Sequence, residues 1–172
     1  MKITGAGIWY TNLKFTNPNP FGGGISGGNG SHGPDDYCNN MDISNFYINS
    51  NLRSRWDQKA VYKCFMDVFK GGSAIHDIWE DHFECGFWIA DYNGKIDYSS
   101  GLKIYNCRIR NNFADGVNFC QGTSDATVYN CSIRNNGDDG LAMWNHDNQG
   151  AHDESNNTFA YNTIEFIWRA GG

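Results

Sequence analysis

Residues 102–109 read LKIYNCRI, and residues 126–133 read ATVYNCSI. The trio Tyr-Asn-Cys stands at 105–107 and again at 129–131, so one short strand-like unit is repeated. Working outward, MDISNFYI (41–48), IWYTNLKF (8–15) and a weaker AIHDIW (74–79) follow the same pattern. On this alignment Asn12, Asn45, Asp77, Asn106 and Asn130 share one column, and Leu13, Phe46, Ile78, Cys107 and Cys131 share the next. A sixth copy, FAYNTI at 159–164, follows a polar insertion. A second strand trails each first one: AVYKCF (60–65), GFWIAD (86–91), GVNFCQ (116–121) and GLAMWN (140–145) align with the small residue leading.

Short alternating strands separated by polar turns, repeating every few tens of residues, indicate a solenoid. There is no helical period and no leucine-rich pattern. The expected fold is therefore all-β, a parallel β-helix of about five to six coils, with residues 1–172 forming a single domain. Stacked coils turn each column into a ladder at about 4.8 Å spacing. The cysteines then become small interior residues and free thiols, with Cys107 matched to Cys131 and Cys64 to Cys120. Their spacing fits neither a zinc pattern nor a disulfide scaffold. Glu80 falls on an apolar position and marks the weakest part of the register.

Composition agrees: 15% aromatic and only 19% charged residues, with 21 glycines, is a turn-rich, β-type chain. A formal charge of −6 with no basic run argues against nucleic acid or an anionic membrane as partner. No apolar stretch approaches the roughly 18 residues of a membrane span. The segment MKITGAGIWYTN has no signal-peptide h-region. Either the chain is cytoplasmic, or it is an internal piece of a longer secreted chain, truncated at one or both ends, with the open strand edges of a cut solenoid. The Gly-rich run 21–33 reads as a loop between coils, with Asp35 and Asp36 solvated there.

The repeat gives meaning to the stretch GDDGLAMW at 137–144. Placing RNNFADGVNF (110–119) over RNNGDDGLAM (134–143) sets Asp115 on Asp139, and Asp138 on Ala114. Three carboxylates meet at one bend between two strands. Stacked like charges destabilise a sheet, and their proximity raises at least one pKa. A solenoid rich in asparagine has no structural need for them. Glycoside hydrolysis does need one protonated and one ionised carboxyl across a scissile bond. A structural Ca²⁺ is the competing use of such a cluster; no other cofactor is required. Trp88 and Trp144 occupy the second-strand region beside the bend, with Trp79, Tyr92 and Trp168 on neighbouring coils, and flat aromatic faces stack on sugar rings. Asn118, Arg134 and His146 complete the candidate substrate-binding set. His146 opens the insertion 145–157 together with Asn145 and Asp147, and Arg110 stacks in register with Arg134. His76 and His82 read as surface or turn residues.

At these residues the chain resembles glycoside hydrolase family 87, the bacterial α-1,3-glucanases and mycodextranases. NCRIRNNFADGVNFCQGTS and NCSIRNNGDDGLAMW resemble its catalytic coils; GAGIWYTNLKF, NLRSRW, AVYKCFMD, HFECGFW and NTIEFIWRAGG resemble flanking parts. The resemblance implies a right-handed parallel β-helix and an inverting endo-α-1,3-glucanase, secreted and monomeric, acting on an α-glucan polysaccharide. Carried over, it makes Asp138 the general acid, with Asp115 and Asp139 activating water. Inversion implies acid and base carboxyls roughly 6.5–9.5 Å apart. Two other readings compete: a non-catalytic β-helical carbohydrate-binding or structural module, and a polygalacturonase-like pectin hydrolase. The second expects an Asn-Thr-Asp trio, a Gly-His-Gly and an Arg-x-Lys; Ala-Asp-Gly stands in place of the first and the others are missing. A lyase needs a basic focus, and here the focus is acidic.

Overall fold

The computed structural model describes residues 1–16, 24–28, 36–50, 63–89, 97–145 and 152–169. Strands stack in parallel coils. The first coil carries β1 (Lys2–Thr4), β2 (Asn12–Lys14), β3 (Ile25–Ser26) and β4 (Cys38–Asn39). The second carries β5 (Asp42–Asn49), β6 (Lys63–Met66) and β7 (Phe69–Lys70), and the third β8 (Ala74–Asp81) and β9 (Cys85–Ile89). Then come β10 (Lys103–Tyr105), β11 (Arg108–Arg110) and β12 (Val117–Cys120), followed by β13 (Thr127–Tyr129), β14 (Ser132–Arg134) and β15 (Leu141–Trp144). A sixth coil adds β16 (Thr158–Ala160) and β17 (Thr163–Glu165). Sheets of ten, five and two strands form the walls, and every pairing is parallel. No α-helix occurs among the described residues. This is a parallel β-helix, as the repeat predicts.

Alternation explains the interior. Ile43, Ile75, Ile104 and Val128 stack in one column, and Phe65, Phe87 and Val117 in another, all of them buried. The column before Phe46, Ile78, Cys107 and Cys131 is asparagine-rich for a backbone reason. Asn45, Asp77, Asn106 and Asn130 all have φ between 51° and 64°, the left-handed region that Asn and Asp tolerate best. Their side chains also run a ladder: Asn130 Nδ2 donates to Asn106 Oδ1 at 2.8 Å, and Asn106 Nδ2 to Asp77 Oδ1 at 3.3 Å. A second left-handed column, His82, Asn111, Asn135 and Phe166, turns the chain toward the five-stranded sheet.

Two alignments differ from expectation. Asn12 lies outside the asparagine column: it pairs with Tyr47, and Leu13 pairs with Ile48 rather than Phe46. The first coil passes the column at Gly5 and Gly7, whose N–H groups donate to Ser44 O and Asn45 O, and Thr11 rejoins where Tyr47 N–H reaches its carbonyl. Residues 8–10 loop out between, so IWYTNLKF is not one strand. In the second coil Phe65, not Val61, faces Phe87, a slip of four residues. Cys64 therefore does not stack on Cys120. The other cysteine match holds, with Cys107 and Cys131 in register and all six thiols free.

Glu80 is fully buried, opposite Ile48 on one side and Ile109 on the other. Its Oε1 accepts Arg110 N–H at 3.1 Å and Asn112 Nδ2 at 2.8 Å, while Oε2 has no partner among the described residues. Asn112 hands the ladder on, its Nδ2 donating to Asn136 Oδ1 at 3.0 Å. Burial holds Glu80 well above the usual carboxylate range, helped by Asp81 and opposed by the two hydrogen bonds. The folded chain thus keeps a proton that the unfolded chain releases above about pH 4.5, so stability falls as pH rises from there. Glu80→Gln keeps the acceptor and removes that proton release. Urea unfolding at about pH 5 and about pH 9 is expected to show a decline for the parent chain that is clearly smaller in the variant.

Candidate functional site

The buried asparagines Asn112 and Asn136 end one wall, and the chain then bends to enter β12 and β15. The acidic residues sit on this bend. Val117 pairs with Leu141, and Gly116 N–H donates to Asp139 O at 2.9 Å, which stacks Asp115 on Asp139 as the repeat requires. Asp138 N–H donates to Ala114 O at 3.2 Å, placing Asp138 one step aside. One carboxylate oxygen from each of Asp115, Asp138 and Asp139 lies within 4.8 Å of the other two.

The three environments differ. Asp115 is buried, and both its oxygens are engaged: Asn118 Nδ2 donates to Oδ2 at 2.7 Å and Asp139 N–H to Oδ1 at 3.0 Å. Burial pushes its carboxyl above the usual range, Asp138 and Asp139 add to the rise, and the two hydrogen bonds oppose it. Asp138 is half-exposed and pairs with Arg169, whose Nη2 donates to Oδ2 at 2.9 Å. Arg169 lies over the Phe113 ring at 4.9 Å, and Phe113 meets Trp168 edge-on at 6.5 Å. The sixth coil thus folds over the bend and pins Asp138 in place.

Of the expected sugar-binding residues, the structure brings Trp88 and Trp144 together edge-on at 6.3 Å on the outer side of the five-stranded sheet. Asn118 stands between Trp88 and Ala142 in the same outward column. Arg134 is elsewhere: it projects from β14, stacks under Phe166 at 4.8 Å, and lines an open pocket of about 460 Å³ with Ile167 and Trp168. It stays in register with Arg110, as expected. Trp79 is on another wall, edge-on to Trp9 at 5.3 Å and covered by Arg108. His146, Tyr92, Asp147 and Asp35 lie outside the described residues. His76 bridges Asp77 and Asp42, and His82 pairs with Asp81 at the bend.

Sequence reasoning missed several neighbours of the site. Arg169 belongs to the sixth coil, beyond a polar insertion, where the repeat gives no register. Lys63 stands in the outward column that runs through Cys85 toward Asp115, pairs with Glu84 at 2.8 Å and lies over the Trp88 ring at 5.1 Å. Glu154 accepts a bond from Trp144 N–H, and burial raises it to about 7.

A hard cation takes six to eight oxygens. Here each Asp115 oxygen already accepts one N–H and a guanidinium pairs with Asp138, which leaves less charge and fewer lone pairs for such an ion. A buried carboxyl with a raised proton affinity beside two more exposed carboxylates is instead suited to moving protons.

Over residues 1–172 the sequence matches the family described as alpha-1,3-glucanase catalytic domain D2. The catalytic domain of Agl-KA is similar at 56% identity and a TM-score of 0.85, over 98% of this chain and 28% of that one. The catalytic domain of a GH87 alpha-1,3-glucanase in complex with nigerose is similar at 28% identity and a TM-score of 0.58, over 83% of this chain and 23% of that one. The chain thus spans about a quarter of the length of these solved relatives. No curated protein matches it.

Proposed function

Because the chain belongs to the alpha-1,3-glucanase catalytic domain D2 family, we propose that its acidic bend hydrolyses α-1,3-linked glucan with inversion. The observation that carries this reading is the stacking of Asp115 on Asp139 with Asp138 beside them. Asp138 is assigned as the acid that protonates the leaving oxygen. Asp115 and Asp139, sharing one ladder step, are assigned to the attacking water. The complex of a relative with nigerose supports an α-1,3-linked sugar as substrate, and Trp88 and Trp144 supply aromatic faces for its rings. The enzyme is assigned to the outside of the cell, where an insoluble glucan lies, acting as a monomer.

The nearest oxygens of the trio are closer than the roughly 6.5–9.5 Å gap of an inverting pair. A sugar entering the bend has to part Asp138 from the other two. That movement has to carry with it, or break, the Arg169 ion pair that pins Asp138. Proton NMR of the first-formed product from a nigero-oligosaccharide tests the assignment. The new reducing end is expected as the β-anomer; an α-anomer formed first overturns inversion.

A further inference from the structure

Cys120 and Asn118 share the outward side of β12, and Cys120 lies opposite Trp144 on the next coil, 1% exposed. Its Sγ is 2.9 Å from Asn118 Oδ1. The same amide presents Nδ2 to Asp115 Oδ2 at 2.7 Å, and Asp115 Oδ1 takes the N–H of Asp139. An asparagine side chain has a donor end and an acceptor end. Only one orientation suits both neighbours here: the amide N–H must face the carboxylate, so the oxygen faces the thiol. The opposite orientation would set a carbonyl oxygen against Asp115.

We propose that Cys120 is a positioning residue whose thiol donates to Asn118 and thereby locks the amide that holds the Asp115 carboxylate. The role requires a thiol that stays protonated. Burial, with Glu154 and Asp115 close by and Lys63 opposing, keeps it so. Cysteine suits the site because a small, weak donor fits beneath Trp144 without demanding water. The groups facing Asp115 are Asp138 and Asp139 on the next coil, Cys85 on the coil below, and Cys120 on its own coil. The functional weight of this relay rests on the reading of Asp115 as a carboxylate acting on water.

The test is a ¹³C NMR titration of the Asp115 carboxyl in the whole chain, which needs no turnover. In Cys120→Ala the amide is free to turn, and the Asp115 midpoint is expected to move up by about one pH unit. Cys120→Ser restores a donor and is expected to titrate as the parent does. Asn118→Ala gives the reference for complete loss of the bond. If Cys120→Ala does not fold, Cys120→Val fills the site without a donor and serves in its place. An unchanged midpoint in the donor-less variant overturns the proposal, and so does a serine variant that shifts as far as alanine, since packing would then be the cause. Loss of hydrolysis in Asp115→Asn tests the underlying functional reading separately.

Discussion

Gly137→Ala is expected to destabilise the fold by about 3 kcal/mol, the upper end of what overpacking costs. A methyl group at Gly137 would run into the carbonyl oxygen of Phe113 on the coil below, and would lie 2.6 Å from Trp168 Cζ2 on the coil above. The first obstacle is backbone and the second a large ring wedged against Phe113, so neither can yield cheaply. Gly137 N–H also donates to Ala114 O at 3.0 Å, and Trp168 N–H to Asn136 O at 3.2 Å. Both bonds would stretch if the coils separated to admit the methyl. Thermal unfolding followed by circular dichroism measures the loss. The same variant should loosen Arg169 from Asp138, because the residues that carry the ion pair are those that must move.

Asp138→Asn is expected to slow hydrolysis roughly a thousandfold, the middle of the range for a lost general acid. An amide has the carboxyl's shape and can still accept the Arg169 N–H, so the fold and that hydrogen bond are kept although the charge pair is lost. What disappears is the proton for the leaving sugar oxygen. Effects of the trio are coupled, since Asp115 feels both neighbours. Combining Asp138→Asn with Asp115→Asn should cost far less than the product of the single losses.

The period, the interior columns and the meeting of the three aspartates were legible in the sequence because each coil repeats the same backbone bend. Asparagine at 106 and 130 advertised that bend through its tolerance of positive φ. The first coil was misread because Gly5 and Gly7 let residues 8–10 leave the ladder, an event with no counterpart in later coils. The second coil departs by four residues because β6 begins much further along the chain after β5 than β9 does after β8, a difference of spacing that the repeat does not encode. Glu80 looked like an error of register and is a buried group satisfied on one oxygen by Arg110 and Asn112. Arg169 was not foreseen: its partnership with Asp138 depends on how the sixth coil crosses the bend, and the repeat carries no information on that. Arg134 shows the reverse, a residue placed correctly in register that the fold turns toward Phe166.

The central claim is that the acidic bend itself performs hydrolysis of α-1,3-glucan. The most direct measurement is reducing-sugar release from insoluble α-1,3-glucan by the chain and by its Asp138→Asn form, with folding of both followed by circular dichroism. Release by the parent chain and a loss of roughly a thousandfold in the folded variant are expected. Equal release by both, or none from a folded parent chain, would contradict that claim.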